Sequence, residues 1–592
     1  MDSYVAPLDA ITSALRTVGL DEILTYPDFD GIDMGTAAEV LAGFAKLAGE
    51  VIAPTDRIGD RAGATLDTAS GEVAVAPEVA NAYARYTEGG WTALSADAEF
   101  GGGGFPGLIA TANREMFGSA NLALSLNPVL TQSAIELLER WGDDRQQALY
   151  LSRMIDGTWT GTMNLTEPDA GSDLGAVRTT ATPIGDDPAQ ATRFALNGTK
   201  IFITWGEHGL TENIVHLVLA RLPGAPEGTR GISLFIVPKF IVDDNGGLLE
   251  RNGVRALALE HKLGIHSSPT CVLHFDNAVG ELVGPVNGGM AAMFSMMNPA
   301  RLAIGLQGVS IGERAFQQAL SFAGERHQGR AKSATTSGPS VIAEHPDVKR
   351  MLLDMSVTVD AARLLVYAAV ASADVANHHP DAEVRERAQR RMDLLTPLAK
   401  AWPTDEGVRI ASLGVQVHGG MGFVEETGIA QRYRDARITP IYEGTNGIQA
   451  IDLVGRKIAR DNGKAVTELL DEVTETVERA EAIGELSTAA KCLSDAVHQS
   501  RSAATWIVEQ FGSNTEGVLS GATVFLDLLA TTVAGSLLIK QAADHIGSGD
   551  TDAARLVAGA EFFALDRLTR LPSLQSITLG VDLLSAGLPA RA

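Results

Sequence analysis

The sequence predicts an α+β protein in which a β-rich middle segment separates helical regions. Apolar residues recur at helical spacing up to residue 157, and short β-type runs fill 158–284. Helical spacing returns at 285 and continues to the end. We therefore divide the 592 residues into five segments, namely an N-terminal extension (1–36), an N-terminal helical domain (37–157), a middle β domain (158–284), a second helical domain (285–460) and a C-terminal helical extension (461–592).

Composition and charge exclude several classes of protein. The chain is 45% hydrophobic and 20% charged, which is enough for a large core. The net charge of -26 argues against a nucleic-acid partner, because binding to phosphates needs a basic face. Cys271 and Cys492 are far apart and lack metal-ligand spacing, so we predict neither a disulfide framework nor a metal site. With no signal peptide and no long uncharged apolar stretch, we expect a cytoplasmic protein without an integral membrane span.

The N-terminal helical domain follows from apolar spacing. Val40, Phe44, Leu47 and Val51 share one helical face, and Pro54 is expected to end that helix. Further helices are predicted over 79–88, 108–117 and 131–141. A run of four glycines at 101–104 lacks the Gly-Lys-Ser/Thr ending of a phosphate loop, so we interpret it as a connection between helices.

Short β-type runs define the middle domain, with a hairpin turn predicted at Asn197-Gly198. The runs cover 159–165, 194–196, 200–204, 214–219, 232–237 and 270–275. After the first run, Thr166, Gly171 and Ser172 offer hydroxyls and bare backbone to an anionic or carbonyl-rich ligand, although Asp and Gly there could simply make a turn. Phe202 and Thr204 fall on one side of a strand, as expected for contact with a flat heterocycle or for an ordinary core.

The second helical domain contains a carboxylate on a tight turn. Glu443 stands between an apolar approach and a Gly-Thr-Asn turn. A helix is predicted behind it, with Thr445 or Asn446 as its cap and Ile448, Ile451, Val454 and Ile458 on one face. Burial there would raise the pKa of the carboxyl group towards a useful range for a base, while a surface glutamate in a turn is the simpler interpretation.

Three other groups in this domain suit an anionic ligand. Arg301 begins a helical region, and Arg326 and Arg330 form a cationic cluster suited to phosphate. The glycine-rich corner at 416–422 would present free N–H groups to a dinucleotide. The alternative for the arginine cluster is an exposed helix end, and the alternative for the glycine-rich corner is a plain turn between helices.

The order of these motifs resembles the acyl-CoA dehydrogenase family over about residues 37 to 460. The resemblance rests on Leu165-Thr-Glu-Pro with Gly-Ser-Asp173, Phe-Ile-Thr204, Gly419-Gly-Met-Gly422, Arg434-Asp-Ala-Arg and Tyr442-Glu-Gly-Thr445. The chain is most like the C-terminally extended 3-methylthiopropanoyl-CoA dehydrogenase subgroup, in segments that include Tyr4-Val-Ala-Pro7, Glu88-Gly-Gly-Trp91, Glu212-Asn-Ile-Val-His216, the run 231–240, Glu344-His-Pro-Asp347 and the long C-terminal extension. It implies the family fold, with a barrel-like middle domain and a C-terminal helical bundle that carries the catalytic site.

The resemblance also implies a chemistry and a set of site residues. FAD would be the cofactor, and an acyl-CoA thioester would lose its α-proton to Glu443 and its β-hydride to flavin N5. Some relatives place the base on the residue just before the arginine that matches Arg301. This chain has Ala300 there, which cannot act as a base, and this favours Glu443. The implied cofactor contacts are Thr166, Ser172, Phe202, Thr204, Arg326, Gln416, Gly419, Gly420 and Thr445, and the implied substrate contacts are Ser172, Arg301 and Gly444.

Assembly and electron transfer are implied in the same way. Arg326, Gln416, Gly419 and Gly420 would reach the FAD of a neighbouring subunit in a homodimer or a dimer of dimers. Electron-transfer flavoprotein would be the acceptor, and 3-methylthiopropanoyl-CoA a candidate substrate. A fatty acyl-CoA dehydrogenase of β-oxidation, an acyl-CoA oxidase and a non-catalytic FAD-binding protein are the alternatives.

The chain departs from the family pattern at three places. Asn164 stands where a small residue is preferred, and Arg326-His-Gln-Gly replaces Arg-x-x-Phe. Pro403 falls in a region that is helical in the family, so a kink is expected there.

Overall fold

The computed structural model describes residues 4–185, 187, 191–332 and 337–580. These residues divide into two compact units. The first unit comprises the described parts of 1–42, 106–115 and 301–592, and the second comprises those of 43–105 and 116–300. The last residues of the predicted C-terminal extension, 581–592, lie outside the described part of the chain.

Helices make up most of the first unit, and the second unit combines helices with all the described strands. The described residues form α1 Leu8–Thr17, α2 Leu20–Ile23, α3 Met34–Leu47, α4 Ala53–Ala62, α5 Pro77–Glu88, α6 Gly107–Ala120, α7 Leu122–Trp141, α8 Asp144–Ile155, α9 Gly289–Glu325, α10 Pro346–His378, α11 Ala382–His418, α12 Ile429–Ala436, α13 Asn446–Asp452, α14 Lys464–Glu481, α15 Ser487–Gln510, α16 Thr515–Ser548, α17 Ala553–Asp566 and α18 Leu571–Leu579. The helices predicted over 79–88, 108–117 and 131–141 correspond to α5, α6 and α7.

The strands belong to the second unit. They are β1 Thr65–Leu66, β2 Val73–Ala74, β3 Trp159–Asn164, β4 Thr180–Pro183, β5 Arg193–Thr204, β6 Asn213–Arg221, β7 Ile232–Pro238, β8 Phe240–Val242, β9 Leu248–Arg251, β10 Val254–Leu259 and β11 Thr270–Val283. The main sheet has the order β10-β11-β5-β4-β6-β3, and β7 pairs with both β11 and β6. Strands β11, β5, β4, β6 and β7 therefore close a ring, which is the barrel-like arrangement implied by the family resemblance.

Alternate residues of the central strands enter two different cores. Val215, Leu217 and Leu219 of β6 pack with residues of α7 and α8, whereas Val218 and Ala220 pack inside the ring with residues of β5 and β11. Because both faces of these strands are covered, β6 and β7 are almost continuously apolar. The sheet is thus a rigid base for the loops that leave β3 and β5.

The predicted hairpin at Asn197-Gly198 is wrong, because β5 runs through both residues without a turn. A Cβ atom at Gly198 would lie only 2.4 Å from the Thr179 hydroxyl oxygen. Glycine is required at this position by a close approach within the sheet, and such a glycine has the same sequence signature as a turn.

The helix that contains Val40 does not end at Pro54. After α3 the chain makes a π-helical turn, Ala48–Ile52, and continues directly into α4. Pro54 therefore lies in the first turn of α4, directly after the π-helical turn.

The N-terminal extension is helical and packs within the first unit. The guanidinium of Arg314 lies 5.5 Å from the centre of the Tyr4 ring. The Ser13 hydroxyl lies 2.8 Å from Nε2 of His545, which belongs to the C-terminal extension. These contacts show that the two ends of the described chain are tied to one helical body.

Helices α9 and α11 approach each other at glycine. A Cβ atom at Gly305 would lie 1.8 Å from the Ala399 carbonyl oxygen, and one at Gly308 would lie 2.2 Å from that of Pro403. Pro403, where the sequence predicts a kink, lies inside α11, which continues as one helix through it. A Cβ atom at Gly305 would also lie 3.2 Å from the Lys400 Cα. The part of α9 in the first unit therefore packs directly on the segment of α11 around Lys400.

The C-terminal extension packs on α10, α11 and α13, as expected from its apolar faces. The indole N–H of Trp402 in α11 donates to the Thr531 hydroxyl of α16 at 3.1 Å. Arg567, which follows α17, donates to Asp354 of α10 at 3.0 Å and to Glu406 of α11 at 3.2 Å. Helix α16 therefore supports the two long helices that carry the second helical domain.

In the part of the chain that the structure describes, two helices, α10 and α16, are long and apolar enough to span a membrane by length and composition. Their most apolar stretches are 89% and 83% buried inside the structure, as is usual for core helices of a folded domain. Their apolar character is thus accounted for by packing within the first unit.

We predict that Arg567→Ala lowers the unfolding midpoint. The substitution removes one cationic partner of Asp354 and Glu406 in a largely buried network. Arg409 still contacts both carboxylates, so we expect a loss of stability below about 3–5 kcal/mol, which is the cost of a fully broken buried pair.

Arg555→Ala in α17 is the matched control, because Arg555 pairs with Asp552 at the surface and such pairs contribute about 0–1 kcal/mol. Equal midpoints for the two variants in thermal unfolding would contradict the anchoring role of Arg567.

Candidate active site

A buried ion pair holds the loop that follows β3. The Glu167 carboxylate accepts from the backbone N–H groups of Arg178 and Thr179 at 2.7 and 3.0 Å. It also accepts from Lys200 Nζ at 2.8 Å, and Lys200 donates in addition to the Leu165 carbonyl at 3.0 Å. Burial acts to raise the pKa of Glu167, but Lys200 and these hydrogen bonds hold that pKa below its usual value. Burial lowers the pKa of Lys200 to about 8.

Next to this pair, β5 contains a bulge that turns Phe202 outward. Lys200 pairs with Leu273 and Ile203 with Cys271, so two residues of β5 oppose the single residue between them in β11. Phe202 has a φ of 59°, in the left-handed region that non-glycine residues rarely adopt. Its ring is 57% exposed. An exposed ring on a strained bulge is typical of a functional surface.

The loop and the bulge are joined by a backbone hydrogen bond. The N–H of Ile201 donates to the Thr166 carbonyl at 2.9 Å. Thr166 and Thr204 are both partly exposed, while Ile203 between the bulge and Thr204 is buried. In the second unit, the Thr166 loop therefore lies beside β5. The accessible side chains of β5 there are Phe202 and Thr204, and Ile203 between them is buried.

Ser172 lies farther along the same loop and is exposed. The Asp173 side chain accepts from the Gly175 N–H at 2.9 Å, which fixes the loop just after Ser172. A Cβ atom at Gly171 would meet no atom within 4 Å, so the backbone here is open to a ligand.

In the first unit, Glu443 occupies a strained turn. Its φ is 53° and that of Gly444 is 82°, so two successive residues are left-handed. For a residue other than glycine this costs about 1–3 kcal/mol and persists only where the surroundings enforce it. The Thr445 hydroxyl accepts from the Ile448 N–H at 3.2 Å, which identifies Thr445 as the cap of α13. A fixed turn at a helix entrance thus carries the carboxylate.

Residues around the turn hold it from three helices. The Tyr442 hydroxyl donates to the side-chain oxygen of Gln307 in α9. The Asn446 N–H donates to the Pro440 carbonyl at 3.0 Å, and the Asn446 amide group donates to the Ala401 carbonyl of α11 at 3.1 Å. In α13, Gln449 donates to the Gly444 carbonyl at 3.3 Å.

Burial raises the pKa of the half-buried Glu443 carboxyl group, as the sequence predicted. The positive charges of Arg301 and, to a smaller degree, Lys400 act in the opposite direction. Arg301 is buried and pairs with Asp452 at 3.5 Å. The carboxylate therefore lies where proton uptake is favoured by burial and opposed by two buried cations.

The apolar face predicted behind Glu443 is only half right. Val454 and Ile458 are fully buried, but Ile448 and Ile451 are exposed. The chain changes from α13 to a π-helical turn, Leu453–Ala459, which has more residues per turn and so rotates the later side chains to a different face. Two isoleucines consequently remain exposed on the helix that Glu443 precedes.

The predicted cofactor residues of the glycine-rich corner are all exposed. Gln416, Gly419 and Gly420 lie at the end of α11 and beyond it, and a Cβ atom at either glycine would meet no atom within 4 Å. Arg326 is also exposed and lies 3.4 Å from Gln328. Phe423, which the sequence analysis did not single out, ends the short helical turn that begins at Gly419, and it is 91% exposed. An aromatic ring left this open is typical of an interaction surface.

Comparisons with known proteins identify the family. The model for the acyl-CoA dehydrogenase middle domain matches residues 162–278, the C-terminal domain model matches 287–458, and the acetyl-CoA dehydrogenase C-terminal-like model matches 469–583. A 3-methylmercaptopropionyl-CoA dehydrogenase of Ruegeria pomeroyi is 47% identical over 80% of this chain and 79% of its own. This chain belongs to the acyl-CoA dehydrogenase family.

Other relatives cover the whole length of this acyl-CoA dehydrogenase. The broad-specificity linear acyl-CoA dehydrogenase FadE5 of Mycobacterium tuberculosis is 33% identical over 97% of both chains. The crystal structure of Caenorhabditis elegans ACDH-11 with C11-CoA superimposes with a TM-score of 0.80 at 20% identity, over 99% of this chain and 96% of that one. The predicted fold class, enzyme class and FAD cofactor are thereby confirmed.

The residues of the second unit fit an FAD-dependent acyl-CoA dehydrogenase. A flavin ring is flat and carries hydrogen-bonding oxygens and nitrogens along one edge. The exposed ring of Phe202 and the partly exposed side chains of Thr166 and Thr204 supply an apolar surface with hydroxyl groups in the same part of the unit. The buried Lys200–Glu167 pair fixes the loop and the strand that carry them.

We predict that Glu167→Gln destabilises the Thr166 loop and lowers the FAD content of purified acyl-CoA dehydrogenase. The folded pKa of Lys200, about 8, lies below its unfolded value of about 10.4. The unfolded chain thus binds more protons between these values, and stability rises with pH across this window. Without Glu167 the folded pKa of Lys200 falls further, so the part of the deficit that comes from Lys200 grows as the pH falls below about 8 and disappears above it.

The measurement is the thermal unfolding midpoint together with the ratio of FAD to protein, at pH 7 and pH 9. Glu250→Gln, on an exposed position of β9, is the control. A Glu167→Gln protein with wild-type midpoint and wild-type FAD content at pH 7 would show that the ion pair does not hold the loop.

Proposed function

We propose that this acyl-CoA dehydrogenase forms the trans-2,3 double bond of an acyl-CoA thioester, with Glu443 as the base that removes the α-proton. The observation that carries the proposal is the position of the Glu443 carboxylate, which is half-buried on a left-handed turn. The positive charges of two buried residues, Arg301 and Lys400, act on this carboxylate. When bound, FAD supplies the acceptor for the hydride that leaves the β-carbon.

The electrostatics of the turn suit proton abstraction. A free carboxylate is a weak base towards the α-proton of a thioester, and a raised pKa brings Glu443 closer to the operating pH. Within the described residues, no protein group accepts a hydrogen bond from the Glu443 backbone N–H. That N–H can therefore donate to the thioester oxygen, where negative charge develops as the α-proton leaves.

We assign the cofactor contacts by motif and by exposure. Thr166, Phe202 and Thr204 contact the isoalloxazine, and Thr445 contacts the cofactor beside the base. Ser172 faces the pyrophosphate or the CoA chain, and Gly444 and Arg301 support the substrate. Arg301 acts from a buried position beside Asp452, so its support is electrostatic.

The exposed corner formed by Arg326, Gln416, Gly419 and Gly420 binds the FAD of a second subunit in a homodimer or a dimer of dimers. The open glycines and the exposed ring of Phe423 support this assignment. We further propose that the enzyme is cytoplasmic and passes its electrons to electron-transfer flavoprotein.

For the substrate we propose 3-methylthiopropanoyl-CoA, because the Ruegeria relative named for that substrate is 47% identical. A linear fatty acyl-CoA is the second candidate, favoured by the full-length similarity to FadE5. Anaerobic titration with a panel of acyl-CoA esters separates the two through the relative rates of flavin bleaching. Formation of hydrogen peroxide in air would instead indicate an oxidase, and no bleaching at all would indicate a non-catalytic flavoprotein.

We predict that Glu443→Gln retains FAD and acyl-CoA but loses flavin reduction. The amide keeps the shape of the carboxylate and cannot take the α-proton, and loss of a general base costs about 10²- to 10⁴-fold in rate. The check is anaerobic stopped-flow bleaching with a good substrate, and Glu250→Gln serves as the control. Bleaching within a few-fold of wild type would identify another residue as the base.

We predict that Arg326→Ala loosens FAD and weakens subunit association together, because binding and association are linked through the native state. Analytical ultracentrifugation and the FAD-to-protein ratio measure the two effects. Arg350→Ala is the matched control, since Arg350 is exposed and pairs with Asp347 of its own helix. A variant with full FAD content and wild-type mass in solution would remove Arg326 from the proposed site.

A further inference from the structure

Lys400 lies beneath the Glu443 turn and contacts both of its ends. Its side chain is fully buried in α11. The ammonium donates to the Thr439 carbonyl at 3.1 Å and to the Asn446 side-chain oxygen at 2.8 Å. Thr439 precedes the turn that carries Glu443, and Asn446 follows it. One buried donor therefore spans the whole turn.

Within the turn itself, the hydrogen bonds that oppose the strain are few. The Asn446 N–H donates to the Pro440 carbonyl at 3.0 Å, and Gln449 lies 3.5 Å from the Glu443 carbonyl, at the limit of a hydrogen bond. The Asn446 amide group also donates to the Thr404 hydroxyl of α11 at 3.0 Å. Lys400, Thr404 and Asn446 thus form a clamp between α11 and the end of the turn.

The charge of Lys400 is not neutralised by a contacting carboxylate. Its two acceptors are an amide oxygen and a backbone carbonyl, whereas Arg301, the other cation that acts on Glu443, pairs with Asp452. The charged groups that act on Lys400 are Asp405 of its own helix, Glu443 of the turn and Arg301 of α9. From α16, Asp527 interacts electrostatically with Glu406, Arg567 and Asp405. Glu443 is therefore one of two carboxyl groups, after Asp405, on which the charge of Lys400 acts.

We propose that Lys400 is a positioning residue for the base, fixing both ends of the Glu443 turn and placing a positive charge near the carboxylate. The proposal rests on the proposed function, because it takes Glu443 to be the base. Burying an ammonium group is costly, and the hydrogen bonds of Lys400 to the two ends of the turn offset part of that cost. Lys400 touches neither substrate nor cofactor in this account and acts only through Glu443 and its turn.

The decisive variant is Lys400→Met, which keeps the length of the side chain and removes its charge and its donors. Flavin bleaching by one acyl-CoA that reduces the wild type is followed anaerobically from pH 5.5 to 9. We expect a rate about 10- to 100-fold lower at pH 7, because a misplaced base loses its alignment. We also expect the acid limb of the profile to move up by about one pH unit or more, since removing a nearby cation raises the pKa of a carboxyl group.

Asn446→Ser separates the two effects. Serine cannot reach Lys400, so the clamp is lost while the charge remains, and we expect a slower reaction with an unchanged acid limb. Lys540→Met in α16 is the control for loss of a partly buried lysine elsewhere in the same unit, with a wild-type profile expected. The FAD-to-protein ratio of every variant confirms that the holoenzyme is being compared.

Two outcomes would overturn the proposal. A Lys400→Met enzyme with a wild-type acid limb, whatever its rate, would show that Lys400 serves the fold only. If that variant yields no FAD-loaded protein, a wild-type rate for Asn446→Ser would overturn the clamp. Failure of the base assignment is distinguished by Glu443→Gln, because bleaching by that variant removes Glu443 from the reaction whatever Lys400 does.

Discussion

The arrangement of the site depends on a carboxylate held in a backbone conformation that it would not adopt alone. Glu443 is left-handed, and the free energy of that strain has to come from the surrounding helices. The close approach of α9 and α11 at Gly305 and Gly308 makes this support rigid. Helix α16 of the C-terminal extension packs on α11 and α13, so the extension supports the same turn from behind.

The other unit also contains a strained residue, Phe202, and a buried lysine, Lys200, fixes the loop next to it. Lys200 and Lys400 are both fully buried, and burial lowers the pKa of each to about 8. Each donates to one backbone carbonyl and one side-chain oxygen of a loop that carries a proposed site residue. A long cationic side chain can satisfy several acceptors of a loop at once, which lets it fix a conformation that the loop sequence alone does not favour.

The sequence was sufficient for the family and for a β-rich middle segment between helical regions, because these depend on motifs and on local periodicity, and the family resemblance implied the barrel-like arrangement. The sequence failed where a residue has two structural uses. Gly198 permits a close approach of Thr179 rather than a turn, and Pro54 begins a helix rather than ending one. The bulge at Phe202 and the roles of Lys200 and Lys400 depend on register and on contacts between distant segments, although a lysine inside an apolar run was a signal that could have been noticed.

The most direct test of this account isolates the proton transfer from the redox step. Wild-type enzyme with excess acyl-CoA is incubated anaerobically in deuterium oxide, and the recovered thioester is analysed by mass spectrometry. Deuterium is expected to enter at the α-carbon with the wild type and not with Glu443→Gln. Incorporation of deuterium at the wild-type rate by the variant would contradict the claim that Glu443 is the base around which the site is built.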